Sequence, residues 1–284
     1  MKRPKHTLKM SANTEKVTGE RKLRIAILGR LFAPLLVLVF LVIVWQVAII
    51  VFKIHPIILP SPLAVFQSLW TERSILAKAA FITGAAALCG LVTSVVLGAM
   101  IAVLFSQSAK LRAAFYPYVI FLQTVPIVAI APLLIIWSGN NFRTIVLVSV
   151  IISIFPIVSN TTAGLLSINE NLRDLFRVND ATRWQTLIKL RVPAAVSHLV
   201  LGTRISCGLA VIGAIVGEFF VGNSGAYDGL GTIMTQWQGR QYTSALIAAV
   251  LVSTLLGVLF FGSINLLSRT VLRRWTSAAN LESE

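Results

Sequence analysis

Residues 167–193 read SINENLRDLFRVNDATRWQTLIKLRVP, the longest polar segment between apolar runs in the sequence. The stretch reads as two short helices joined by a turn. Ser167 with Glu170 three positions later has the S-x-x-E spacing of a capping box, which opens a first helix. Leu172, Leu175 and Phe176 then fall at helical spacing on one face. Asn179 and Asp180 break the pattern, and both residue types tolerate the positive φ of a sharp turn. Thr182 with Gln185 makes a second capping box, and Trp184, Leu187, Ile188 and Arg191 share a face of the helix that follows. Pro193 either stops that helix or begins the next apolar span. An amphipathic hairpin slung between apolar spans needs a cover for its greasy side. Two readings are open: it lies on the lipid surface, or it docks a soluble partner.

The 284 residues are 56% hydrophobic and 12% charged, against about 25% charged residues in ordinary soluble proteins. The apolar residues cluster into long uncharged runs, which identifies a polytopic, all-α membrane protein. Leu31–Val51 is the first span, and the basic segment 1–30 before it reads as a cytoplasmic tail. A loop over Ile54–Lys78 holds Ser61 as N-cap and Pro62 at the first position of a short interfacial helix, with Leu63, Phe66 and Trp70 along one side. Ala79–Phe105 is the second span, rich in Gly and Ala and so suited to close helix packing. Tyr116–Trp137 is the third, with Pro117, Pro126 and Pro132. Prolines free backbone carbonyls that lipid cannot satisfy, so this span belongs in the bundle or along a path rather than against lipid. A tight turn at Gly139–Asn141 leads to the fourth span, Thr144–Leu166. Ala194–Val221 is the fifth, a Gly-rich outer loop covers Gly222–Tyr242, and Ser244–Leu267 is the sixth. The permease-like body thus extends over 31–274, with a C-terminal tail at 275–284.

Net charge is +15, yet the charges sit where topology determinants sit, so nucleic acid is not the implied partner. Nineteen Lys and Arg fall on the side of the tails and the hairpin, five on the opposite side, and Arg204 inside the fifth span. That bias puts both termini and the hairpin in the cytoplasm.

Little chemistry is available. No G-x-x-x-x-G-K-[ST] loop is present, so the chain should not hydrolyse ATP alone. His6, His55 and His198 form no metal-ligand pattern, and neither catalytic residues nor a cofactor are expected. Only Arg204 and Glu218 place charge within a span, too few for the usual ion-coupled carrier. Arg204 reads as a packing or snorkelling residue. Glu218 reads either as part of a transport path or gate, along with Pro126 and Pro132, or as a structural cap.

The hairpin resembles the cytoplasmic signature of bacterial ABC importer permeases: E-A-A, three residues, G, nine residues, I-x-L-P. Asp174 stands at the Glu position, Leu175 and Phe176 at the two alanines, Asp180 at the Gly, and Leu190, Val192 and Pro193 at I, L and P. The spacing is complete while several identities have drifted. LPSPLAVFQSL (59–69), VPIVAIAPLLIIWSG (125–139), FPIVSNTTAGLL (155–166) and RISCGLAVIGAIVGEFFVG (204–222), with the GLG at 229–231, are similar to permeases of the nitrate/sulfonate/taurine/bicarbonate type. Within that type they look closer to permeases for thiamine pyrimidines or riboflavin. The resemblance implies a six-span, type I importer permease of the bacterial inner membrane. Its pore is built from two copies or a paired permease, with separate cytoplasmic ABC ATPase subunits and an extracytoplasmic substrate-binding protein. It also implies that the hairpin docks in the ATPase, with Asp174, Asp180, Thr182, Arg183, Trp184 and Leu187 as candidate contacts. An ion-coupled carrier and a non-transporting membrane scaffold are the competing readings.

Overall fold

The computed structural model describes residues 34–221 and 227–280, with residues 269–280 by their backbone alone. The basic tail expected over 1–30 and part of the outer loop lie outside the described residues. Every regular element among the described residues is helical. α1 (Pro34–Phe52) is long and apolar enough to cross a bilayer. It belongs to one compact unit ending at Val65, and a second begins at Phe66. α2 (Pro62–Thr71) starts as expected, with the Ala64 N–H donating to Ser61 Oγ at 3.2 Å.

In the second unit, α3 (Arg73–Gln107), α6 (Phe142–Leu166) and α9 (Val192–Val221) form the core. α6 lies between the other two, and half of its most apolar stretch is buried. In lipid, apolar burial does not drive helices together, so association relies on close approach and interhelical hydrogen bonds. Both are present. A Cβ at Gly213 of α9 would stand 2.6 Å from the Cα of Ser149 in α6, and one at Gly98 of α3 would stand 2.7 Å from the Ile157 side chain. Buried hydroxyls cross the same seams. Ser149 Oγ donates to the Ala210 carbonyl at 2.9 Å, Ser206 Oγ donates to the Ser153 carbonyl at 2.6 Å, and Ser94 and Ser153 Oγ lie 2.8 Å apart.

The third span departs from expectation. It is two helices, α4 (Ala109–Thr124) and α5 (Ile127–Ser138), bent by 101°. Val125, before Pro126, is forced into the extended region at φ −68°, ψ 126°, and that ends α4. Pro117 and Pro132 are accommodated inside their helices. Nor is the broken span buried within this chain: α4 has no buried residue and α5 only Ala131. Among the described residues five helices are long and apolar enough to span, or six when the bent pair counts as one. The Gly139–Asn141 turn forms as read, with Gly139 at φ 85° and Asn141 Oδ1 accepting from the N–H groups of Arg143 and Thr144.

α7 (Glu170–Val178) and α8 (Arg183–Thr186) make the hairpin, and α8 runs without a break through Leu187–Arg191 into α9. The chain then forms α10 (Leu230–Gly239) and α11 (Thr243–Asn280).

Gly213→Ala should lower the stability of the detergent-solubilised protein by about 1–3 kcal/mol, because a backbone atom must give way. Gly208→Ala, on the same helix with open space around it, should cost nothing. Thermal unfolding of the two variants side by side checks the contrast.

Candidate functional site: the hairpin and a buried carboxylate

The hairpin turn is made by backbone geometry. Asp180 sits at φ 50° beyond the end of α7, and the Ala181 N–H reaches back to the Phe176 carbonyl at 3.0 Å. That is the left-handed helix cap in which glycine is most at ease. The Thr182–Gln185 capping box forms in both directions. The Ser167–Glu170 box does not. Ser167 Oγ donates to the Gly164 carbonyl at the end of α6, and Asn169 caps α7 by accepting from the Asn171 N–H.

Leu187–Arg191 is a π-helical turn, in which the Val192 N–H bonds the Leu187 carbonyl. The wider turn carries one extra residue and leads into Pro193, which could not donate to a carbonyl four residues back. Residues that a helical period groups on one face are divided in the structure. Leu187 is 3% exposed and packs with Ala102, Leu165 and Ala195, whereas Trp184 is 69% exposed and Ile188 points outward too. Arg191 Nη1 donates to the Ser106 carbonyl at 2.6 Å. The hairpin is therefore fastened to α3 and α6 along its inner side. Asp174, Asp180, Thr182, Arg183 and Trp184 are exposed on its outside, along with Leu172, Leu175 and Val178. Of the six candidate contacts, Leu187 alone is turned inward.

A second constellation is buried at the far end of α9. Glu218 is 0% exposed. Its Oε2 accepts from the Gly231 N–H at 2.8 Å and from Thr83 Oγ1 at 2.9 Å, while Thr83 Oγ1 accepts from the Leu230 N–H at 2.8 Å. Oε1 has no partner among the described residues. A carboxylate and a hydroxyl thus cap the first N–H groups of α10, where the helix dipole favours negative charge. Gly229 and Gly231 are required by space, since a Cβ on either would overlap the Glu218 side chain. Arg204 bonds Ser268 of α11 through its guanidinium, the packing role expected of it.

Residues 94–273, which include the end of α3, the bent pair, α6, the hairpin and α9, match the family model described as "binding-protein-dependent transport system inner membrane component". The chain belongs to this family. It is 33% identical over 244 residues to the formylaminopyrimidine transport permease of Halalkalibacterium halodurans, covering 84% of this chain and 94% of the relative. It is 30% identical over 243 residues to the riboflavin transport system permease of Chloroflexus aurantiacus, covering 85% and 89%. The fold is similar to that of a methionine ABC transporter solved in inward-facing conformations, with a TM-score of 0.59 and 19% identity over 71% of this chain and 98% of that one. The protein is accordingly a multi-pass membrane permease of a bacterial binding-protein-dependent ABC importer.

For this permease, sequence reasoning found Glu218 but missed Thr83, its partner 135 positions away. The GLG at 229–231 was the one available signal for the cradle. Thr83→Val should destabilise the permease by about 1–3 kcal/mol, because the Leu230 N–H loses its acceptor in a buried site. Thr83→Ser, which keeps the hydroxyl, should melt close to the parent. Thermal unfolding in detergent separates the two.

Proposed function

We propose that this permease forms the translocation path of its importer as a pair, with itself or with a second permease, and takes its energy from a separate cytoplasmic ATPase that grips the hairpin. The observation that carries this reading is the division of the hairpin into two sides. The inner side is held to α3 and α6 by Leu187 and by the Arg191–Ser106 bond. The outer side leaves Leu172, Leu175, Trp184 and Ile188 uncovered beside Asp174, Asp180, Thr182 and Arg183. A partner that covers the outer side moves the helices attached to the inner side. Trp is among the side-chain types most enriched at binding hot spots, which supports Trp184 as an anchor, while Arg183, also exposed, borders the cavity at the root of the hairpin. The 19-to-5 distribution of basic residues supports a cytoplasmic hairpin and cytoplasmic termini.

The exposed α4–α5 pair, with Pro126 at its bend and Pro132 inside α5, supports a role in the path or in the contact with the paired permease. Glu218 serves as a gate element: it joins α9, α3 and the start of α10, so the outer helix is coupled to the core. An extracytoplasmic binding protein delivers the solute. The formylaminopyrimidine and riboflavin permeases among its relatives support a nitrogen heteroaromatic substrate rather than a sulfonate or nitrate.

Trp184→Ala should abolish ATP-driven uptake at least tenfold, because a fully buried aromatic anchor is worth 2 kcal/mol or more, while the protein stays in the membrane. Co-purification in mild detergent with the ATPase encoded nearest to it checks this: the parent chain should retain the ATPase and the variant should lose it. Uptake and retention unchanged in the variant would overturn the reading.

A further inference from the structure

Four arginines converge on one cavity at the root of the hairpin. Arg173 and Arg177 come from α7, Arg183 from α8 and Arg191 from the π-turn, and Gln107 at the end of α3, Ala181 and Thr186 complete the lining. The cavity holds about 420 Å³, the volume of roughly fourteen waters at ~30 Å³ each. That is too large for one monatomic counter-ion. Among the described residues none of the four guanidiniums makes an ion pair, although Glu170, Asp174 and Asp180 lie on the same hairpin. Like charges gathered in a partly enclosed space repel, and such a cluster is stable when an anion shares it. Guanidinium forks match the oxygens of a phosphate, to which they bind in pairs.

The place of the cavity identifies the source of the phosphate. Gln107 lies two residues past the uncharged run 79–105 of a helix apolar enough to cross a bilayer, which supports a place for the cavity near the headgroups. On the span side Leu104, one turn before Gln107, is an exposed apolar side chain. A basic pocket between helix ends, bordered by apolar surface on the cytoplasmic side, suits an anionic lipid.

We propose that the Arg173–Arg177–Arg183–Arg191 cavity binds the phosphate of an anionic phospholipid, so that a lipid headgroup is wedged between the hairpin and the end of α3. The proposal rests on the cytoplasmic placement of the hairpin proposed above. Since Arg191 also holds the hairpin to Ser106, a bound headgroup joins α7 to the same anchor and stiffens the hairpin where a partner pulls on it.

The test uses the full chain, purified in zwitterionic detergent, titrated with fluorescent phosphatidylglycerol or with phosphatidylcholine of the same chain length. Phosphatidylglycerol should bind and phosphatidylcholine should not. The Arg173→Gln/Arg177→Gln double variant should weaken binding about fivefold per arginine lost, near 25-fold for the pair. Lys110→Gln/Arg112→Gln removes the same charge from residues outside the cavity and should bind as the parent does. Equal weakening in the two double variants would overturn the site, since any surface charge would then suffice. Inorganic phosphate in the millimolar range should not displace the lipid; displacement would overturn the lipid assignment in favour of a free phosphate. Loss of ATPase co-purification in the Arg173/Arg177 variant with lipid binding unchanged would likewise overturn the proposal and give the cavity to the ATPase. Micelles have no sides, so lipid binding is read independently of topology. A failed Trp184→Ala experiment therefore leaves this result standing, and the reverse also holds.

Discussion

Close approach between α6 and its two neighbours is the constraint on which the rest of this protein depends. A helix in lipid gains nothing by exchanging an acyl chain for a leucine, so apolar runs by themselves do not hold a bundle together. Gly98 and Gly213 let backbone and side chains meet at distances that a methyl group would forbid. That proximity in turn brings Ser94, Ser149, Ser153 and Ser206 within reach of hydroxyls and carbonyls on the facing helices. Each such bond is modest, and together they specify one register among several that apolar packing alone would accept. Everything attached to these three helices inherits that register, including the hairpin at one end and the Glu218 cradle at the other.

The two ends solve different problems with related chemistry. At the Glu218 end a carboxylate is removed from water and satisfied by a helix N-terminus and a threonine, which leaves one oxygen without a partner among the described residues. Burial of this kind is costly unless the surrounding groups are held in place. Gly229 and Gly231 provide the space, and Thr83 links the arrangement to α3. At the hairpin end the polar groups are exposed and the apolar ones are divided between the bundle and the surface. The first arrangement favours one fixed state, whereas the second leaves surface for a partner to cover.

How much of this was legible in the sequence depended on how local each cause was. The Thr182–Gln185 box, the Asp180 turn and the Asn141 cap were readable because all their atoms lie within a few residues of one another. Ser167 misled for a tertiary reason: its hydroxyl serves the end of α6, and Asn169, two positions on, caps α7 instead. Three prolines were visible in the third span, but which of them would break it depends on the backbone each precedes or ends, and only Pro126 did. Leu187 was grouped with Trp184 by helical spacing, but tertiary packing decides its side: it is buried against Ala102, Leu165 and Ala195. The Thr83–Glu218 bond has no local signature at all. The span count and the family resemblance were readable throughout, since long apolar runs and motif spacing survive when single contacts drift.

The unbroken helix from Arg183 to Val221 has 39 residues, which at 1.5 Å per residue is a rod of about 58 Å. Its first turn belongs to the hairpin and its last turn carries Glu218. A tilt of about 5° over that length displaces one end against the other by about 5 Å. The exposed hairpin and the Glu218 clasp on α10 are thus parts of one continuous piece of backbone. A displacement of one end would reach the other through the stiffness of the helix itself, with no chain of side-chain relays between them.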